Sequence, residues 1–242
     1  MHQIENHDLF KIVVEDTRLL MEKHGGKLSD VFIENSSFNE FEYYIHNNGF
    51  YLIHFMQLCD QIIYGVELIS NFNYNTTKSV SRIDHLTYNI ENYIIRLTSI
   101  HDRLLQLVNA TFHLCINESD VNDRVVLNNM KVSRTNLPKK IKELQKVLQK
   151  YTGERNKIVH KYSYLSKELK RLQIFYHFTG EEIYNTPEKI DNFKNLRKEI
   201  LKEYISEKKE EFNSLNKECF SKLPEILDIL LIHYKITKKL IE

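Results

Sequence analysis

Glycine and proline are scarce in this chain, which has 6 and 3 of them among its 242 residues, well below the roughly 12 % that the two supply in an average protein. Few turn-formers mean few turns and long elements, which points to helices. An excess of one charge is also missing. Lys plus Arg number 34 and Asp plus Glu 33, and this balance excludes a globally basic nucleic-acid coat or an acidic tail protein. Any polyanion site must therefore be local. The three cysteines, Cys59, Cys115 and Cys219, lie far apart with no CxxC pair, which argues against a disulfide framework or a thiolate zinc site and points to a reducing compartment. A long uninterrupted apolar run is absent too. The most apolar stretch, Phe50 to Ile69, carries His54, Gln57, Asp60, Gln61 and Glu67, too many polar groups for a bilayer span of about 20 residues. It reads as a core helix. Met1 to Asp8 lacks the basic start and apolar core of a signal peptide, so a cytoplasmic location and no membrane partner are expected. What is present, 42 % hydrophobic and 28 % charged residues, suits a globular protein with a real core.

Apolar spacing divides the chain into helical segments. Residues 5 to 23 form a first amphipathic segment, stopped by Gly25-Gly26. A second helix should run from about Asn39 to Ser70, with Asn47-Asn48-Gly49 a candidate interruption. From Ser79 to Cys115 the apolar residues recur at three- and four-residue steps, predicting one very long central helix. Asn117 to Asn122 is a turn and cap, and Val125 to Lys131 a short helix or bend. Pro138 suits the first turn of a helix over Leu137 to Tyr151, where its missing N–H would be unpaired anyway. Thr152-Gly153 is expected to break that helix, and Glu154 to about Phe178 to restart it, with Glu154 placed for the N-terminal dipole. Pro187 opens a last long segment whose Glu/Lys-rich middle, Arg197 to Glu211, reads as a solvated face, and Pro224 is placed to split it. With no internal repeat and no linker, the expectation is an all-α fold of about seven or eight helices in one domain over 1–242.

The near-neutral total conceals a dipolar distribution. Lys131 to Arg171 holds 13 basic residues against three acidic ones, whereas the remaining chain holds 21 basic and 30 acidic. Lysine is a good solvated helix former, and that is the plain explanation of such a run. The local deficit of acids weakens it. Basic groups gathered on two successive helices could form a face that attracts phosphates, so a polyanion becomes the leading partner, with Lys139, Lys140, Lys157 and Lys161 the candidate residues for contact with RNA or another phosphate backbone.

Inside this region stands Arg155-Asn156-Lys157-Ile158-Val159-His160-Lys161-Tyr162. With a helix starting at Glu154, Ile158, Tyr162, Leu165, Leu169, Leu172 and Tyr176 form an apolar stripe, and Asn156, His160, Ser163 and Lys167 lie on the other side. At one hundred degrees per residue, Arg155 and His160 are about 140° apart. One reading is structural: Arg155 a surface cation, His160 a solvated residue, Tyr162 core. The other is that Asn156 and His160, one turn apart, make an accessible polar pair suited to a shared interface with Arg155 reaching round.

The string Arg155, Asn156, three residues, His160 resembles the motif of the HEPN ribonuclease family. Tyr162 extends the match to the longer pattern of HEPN toxins paired with minimal nucleotidyltransferase antitoxins. The preceding helix, with Glu91-Asn92-Tyr93, Arg96 and Asp102-Arg103, also looks like HEPN bundles. The resemblance covers roughly residues 40 to 180, and an added N-terminal helix or two and some 60 residues after the motif helix make the chain more similar to longer stand-alone HEPN proteins.

The resemblance implies an HEPN-like helical bundle with extra helices at both ends, the C-terminal one over about 187–242. It further implies a homodimer that cuts RNA without a metal or other cofactor, in a toxin or phage-defence role. RNA supplies its own 2'-OH nucleophile, so the protein needs a proton-transfer group, His160, and a cation for the phosphate, Arg155. Asn156 takes a lesser, orienting role. Tyr162 resembles the tyrosine that a partner nucleotidyltransferase modifies with AMP. A non-catalytic HEPN-like module binding RNA or a nucleotide, or a helical interaction protein, is the alternative. The remaining histidines show no His-Glu-x-x-His, and Gly25-Gly26-Lys27 lacks the other residues of a P-loop, so neither a metal nor a nucleotide loop is expected.

Overall fold

The computed structural model describes residues 5–25, 38–72 and 80–242. Every regular element in these residues is helical. In chain order they are α1 (Asp8–Lys23), α2 (Glu40–Leu68), α3 (Arg82–Thr98), α4 (Ile100–Thr111), a 3-10 turn (Glu118–Asp120), α5 (Asp123–Leu127), α6 (Met130–Ser133), α7 (Leu137–His160), α8 (Lys167–His177), α9 (Pro187–Phe220) and α10 (Leu223–Ile241). No described helix is long and apolar enough to cross a membrane. The second glycine of Gly25-Gly26 and most of the stretch from Asn71 to Thr77 that the sequence suggests as a loop lie outside the described residues, whereas Gly25 closes α1 with φ +66. That is the left-handed conformation a side chain disfavours.

The chain divides into two compact units, one of residues 1–60, 99–148 and 218–242, the other of 61–98 and 149–217. In the first unit α2 starts at a reciprocal cap. The Glu42 N–H donates to Asn39 Oδ1 at 2.9 Å and the Asn39 N–H donates to Glu42 Oε2 at 3.1 Å, which satisfies two amides left open at a helix start. The candidate interruption at Asn47-Asn48-Gly49 does not occur, because the tertiary structure uses these residues. Asn48 is buried, donates to the carbonyls of Tyr44 (2.8 Å) and Ala110 (3.3 Å), and accepts from the Thr111 hydroxyl at 2.9 Å. A Cβ on Gly49 would lie 2.4 Å from Thr17 Oγ1, so the glycine permits α1 to approach α2. Tyr44 donates to the carbonyl of Thr111 at 2.9 Å, and Tyr234 of α10 donates to Asp16 of α1 at 2.8 Å. The apolar face of Ile141, Leu144, Val147 and Leu148 brings the N-terminal part of α7 into this core.

The predicted central helix is two helices, interrupted at Ser99. Thr98 turns its hydroxyl back onto the carbonyls of Ile94 (2.9 Å) and Ile95 (3.0 Å). Such back-bonding competes with the helix's own hydrogen bonds, and apolar spacing cannot register it because the stripe continues through the interruption. The second unit is built from the end of α2, α3, the C-terminal part of α7, α8 and most of α9. Its core includes Ile90, Tyr93, Ile94, Tyr151, Leu169, Leu172, Tyr204 and Phe212. Tyr93 stacks on Phe212 at 3.9 Å between centroids and donates to Asn216 Oδ1 at 2.8 Å. Pro187 opens α9, and Pro224 stands in the first turn of α10, as its fixed backbone angle and missing N–H favour.

Candidate functional site

The motif lies at the opposite end of a helix from the one expected. α7 does not stop at Thr152-Gly153 but runs unbroken from Leu137 to His160, which puts Arg155 to His160 in its last two turns. Threonine and glycine cost a helix about 1 kcal/mol or less each relative to alanine, and tertiary bonds at the adjacent residue outweigh that. Tyr151 is buried and donates to Glu211 Oε1 at 2.5 Å, and Glu211 accepts from Lys208 at 2.8 Å. Burial pushes the Tyr151 phenol up, and the neighbouring carboxylate pushes it further. Burial opposes the charge on Lys208, but Glu211 offsets this and keeps the ammonium above its ordinary value. Glu211 is itself held below the usual carboxylate range by Lys208 and Tyr151, against the burial that raises it.

After His160 the helix closes on Lys157, whose carbonyl accepts from the N–H groups of Lys161 (2.8 Å) and Tyr162 (2.9 Å). Residues 161–166 are tied at two places. The Tyr164 N–H donates to Glu91 Oε1 at 2.6 Å, and Ser166 caps α8 by accepting from the Leu169 N–H at 3.0 Å. Tyr164 is buried, with the Lys208 ammonium 5.8 Å from its ring centroid. Two tyrosines separated by one residue thus have opposite fates: Tyr164 is core, and Tyr162 is 50 % exposed. The expected apolar stripe is therefore corrected. Leu169 and Leu172 are buried, Ile158 and Tyr176 half-buried, and Tyr162 and Leu165 exposed. The stripe required helix through 161–166, and its absence releases Tyr162 to solvent.

Arg155 is half-buried and its Nη1 donates to Asn156 Oδ1 at 3.1 Å. Asn156, His160 and Lys161 are exposed. The structure thus joins Arg155 to Asn156, but no hydrogen bond joins Arg155 to His160 among the described residues, consistent with their wide angular separation on the helix. The position on α7 also changes the electrostatics. A helix C-terminus presents open carbonyls and a partial negative charge, which suits the cations Lys157 and Lys161 but gives a phosphate no help from the backbone. Attraction for an anion must come from side chains.

The four lysines singled out for RNA divide between the units. In the first, Lys139 is exposed, whereas Lys140 is held by Glu143 at 3.4 Å and by a short ion pair with Glu225. Hydrogen bonding to Glu225 raises its pKa. In the second, Lys157 pairs with Glu154 at 2.6 Å, and Lys161 makes no ion pair among the described residues. Two of the four charges are thus already partnered. Lys208 and Glu211, read from the sequence as part of a solvated face, hold the end of α7 and the segment after it from α9, a tertiary signal, whereas Ser166 lies within that segment and caps α8 locally.

Among the described residues no group of His, Cys, Asp and Glu is arranged to hold a metal ion. The sequence model of the Cthe2314-like HEPN family matches residues 35–214, which takes in α2 to α8, the motif and most of α9. No curated protein and no solved structure matches the chain. A match over most of the chain, on an all-helical fold, carries a plain conclusion: this protein belongs to the HEPN family.

Proposed function

We propose that this HEPN protein is a metal-independent endoribonuclease, acting as a homodimer in a toxin or phage-defence role in the cytoplasm. The observation that carries the reading is the cluster of polar motif residues at the end of α7, with Asn156 and His160 exposed and Arg155 bonded to Asn156. Arg155 and His160 are about 140° apart around an ideal helix, and a site built from two copies brings them to one phosphate. A twofold pairing of α7 ends supplies the Arg155 of one protomer and the His160 of the other to the same phosphate.

The chemistry follows from RNA itself. The 2'-oxygen attacks the adjacent phosphorus while the bond from phosphorus to the 5'-oxygen breaks, leaving a 2',3'-cyclic phosphate and a 5'-hydroxyl. His160 takes the 2'-OH proton or delivers one to the leaving oxygen as general base or acid. The Arg155 guanidinium presents a planar fork to the charged phosphate oxygens, held in orientation by Asn156. Lys139 and Lys161, with the partnered Lys140 and Lys157, supply sequence-independent attraction for the backbone. The exposed Tyr162 hydroxyl is accessible to a partner nucleotidyltransferase, and an AMP group there would add bulk and negative charge beside the motif.

The angle of about 140° between Arg155 and His160 around α7 is also met by a second reading, a non-catalytic module that binds RNA through the same residues. Incubation of mixed RNA in EDTA with wild-type protein and with Arg155→Ala and His160→Ala separates the two. Cleavage by wild type that both folded variants lose supports the ribonuclease. Salt-dependent binding without cleavage moves the assignment to the binding module.

A further inference from the structure

One side of α10 is apolar yet exposed. The helix packs into the first unit through Leu223, Ile226, Leu227, Leu230 and Tyr234, all buried, and at one hundred degrees per residue these fall within an arc of about 100°. Some 130° round from the centre of that arc stand Ile229, Ile232, Ile236 and Leu240, within about 80° of one another. Ile229 is half-buried, but Ile232, Ile236 and Leu240 are 56, 48 and 80 % exposed. Exposed apolar residues scattered singly are ordinary, whereas a row of them at steps of four makes a continuous patch. Lys235 and Lys239, both exposed, edge this stripe beside Ile232 and make no ion pair among the described residues. Residues 229–241 contain no Asp or Glu. The two acids on this side of the helix, Glu225 and Asp228, lie in its first turns and are partnered, Glu225 by Lys140 and Asp228 by His7 at 3.1 Å. Lys238 faces the other way, onto Asp16 of α1 at 2.7 Å.

We infer that this side of α10 docks on an anionic lipid surface. The stripe runs about 16 Å along the axis, and with unpaired lysines along one edge and no acid beside it, its charge complements a negative one. A second copy fits poorly: antiparallel twofold pairing would bring the lysine-bearing edges of both helices together, and parallel pairing would offer those lysines no carboxylate of the last three turns of α10. Protein partners are gripped chiefly through Trp, Tyr and Arg anchors, which combine apolar area with directional bonds. Here every stripe residue is aliphatic and holds no polar side-chain atom. Acyl chains require only apolar area, and anionic headgroups require only positive charge at the edge, which is how an interfacial helix lies in the plane of a bilayer. The expectation of no membrane partner rested on the lack of a span and of a signal peptide, and a helix lying on the surface needs neither. The stripe shares no residue with the motif, so this inference does not rest on the ribonuclease reading.

Co-sedimentation of the full chain with vesicles tests it. The protein should pellet with vesicles of equal parts phosphatidylcholine and phosphatidylglycerol, far less with phosphatidylcholine alone, and less with either as salt rises. Lys235→Ala/Lys239→Ala should weaken partition into the mixed vesicles about 25-fold, about fivefold for each lysine. Ile232→Ser/Ile236→Ser, at exposed positions that the fold tolerates, should weaken it at least about tenfold, with circular dichroism confirming that both variants fold. Lys142→Ala/Lys146→Ala removes the same charge from exposed positions on α7 and should pellet as wild type does. The chain has no tryptophan, so Ile236→Trp supplies a single reporter, whose emission should shift to the blue with the mixed vesicles. Failure of the wild type to pellet with the mixed vesicles overturns the inference and leaves the stripe to an acidic protein partner. Equal pelleting with neutral vesicles, undiminished pelleting of either α10 variant, or unshifted tryptophan emission overturns it as well. A loss in Lys142→Ala/Lys146→Ala as large as that in Lys235→Ala/Lys239→Ala would reduce the attraction to overall charge and overturn the assignment to α10.

Discussion

Replacing Glu211 by Gln should loosen the support beneath the end of α7. The substitution keeps size and shape but removes the charge that Lys208 meets at 2.8 Å and weakens the acceptor that Tyr151 uses at 2.5 Å. The Lys208 side chain is 14 % exposed and that of Glu211 31 %, so the pair is only partly screened by water. A hydrogen bond to a charged group contributes roughly 1.5–3 kcal/mol, and with Glu211 partly solvated the loss should be about 2 kcal/mol. For a chain of this length that corresponds to a fall in Tm of roughly 4–8 °C. Acid sharpens the test. Because Glu211 is held below the usual carboxylate range, its contribution is complete above the unfolded value of about 4.3 and is lost as pH falls through the lower folded value. The gap between wild type and variant, measured by urea unfolding, should be constant near neutrality and close below about pH 4. Hydrogen exchange should also quicken at the Tyr164 amide. A variant as stable as wild type at pH 7, with an unchanged acid limb, would refute this account of how the motif segment is held.

Two glycines yield predictions of opposite sign. Gly153 lies inside α7 with nothing within 4 Å of an added Cβ, so Gly153→Ala should raise stability by about 1 kcal/mol in thermal unfolding. A neutral or harmful result would mean that the helix does break there. Gly49 is also helical, but an added Cβ would lie 2.4 Å from Thr17 Oγ1 and 3.3 Å from Thr17 Cβ, too close for any threonine rotamer to relieve. Overpacking of about 1–3 kcal/mol should outweigh the helical gain and lower Tm, and Thr17→Ala should recover part of the loss in the double variant.

The helical class was legible because apolar residues recur at helical spacing and so few residues form turns. Pro187 and Pro224 marked helix starts correctly, since a fixed φ and a missing N–H act locally. The errors have tertiary causes. Thr152-Gly153 and Asn47-Asn48-Gly49 carry weak helix propensity, but Tyr151, Asn48 and the close approach of Thr17 to Gly49 bind these stretches to other helices. The break at Ser99 was missed in the other direction, because the apolar stripe continues through it. The motif residues were visible as a string, but their placement at a helix end was not. It depended on reading through Gly153 and on Glu91, 73 residues from the Tyr164 amide that it holds.

The central claim is that the ends of α7 from two copies form one ribonuclease site. Its most direct test is RNA cleavage in EDTA by wild type, by Arg155→Ala, by His160→Ala, and by the two variants co-folded so that mixed dimers form. Loss of the proton-transfer group should slow cleavage by about a hundredfold or more, and loss of the phosphate cation by about as much. In a mixed dimer one of the two shared sites retains both groups, so activity should return well above that of either variant alone. Mixed dimers as inactive as the separate variants would contradict a site shared between protomers, and cleavage undiminished by either substitution would remove Arg155 and His160 from the reaction.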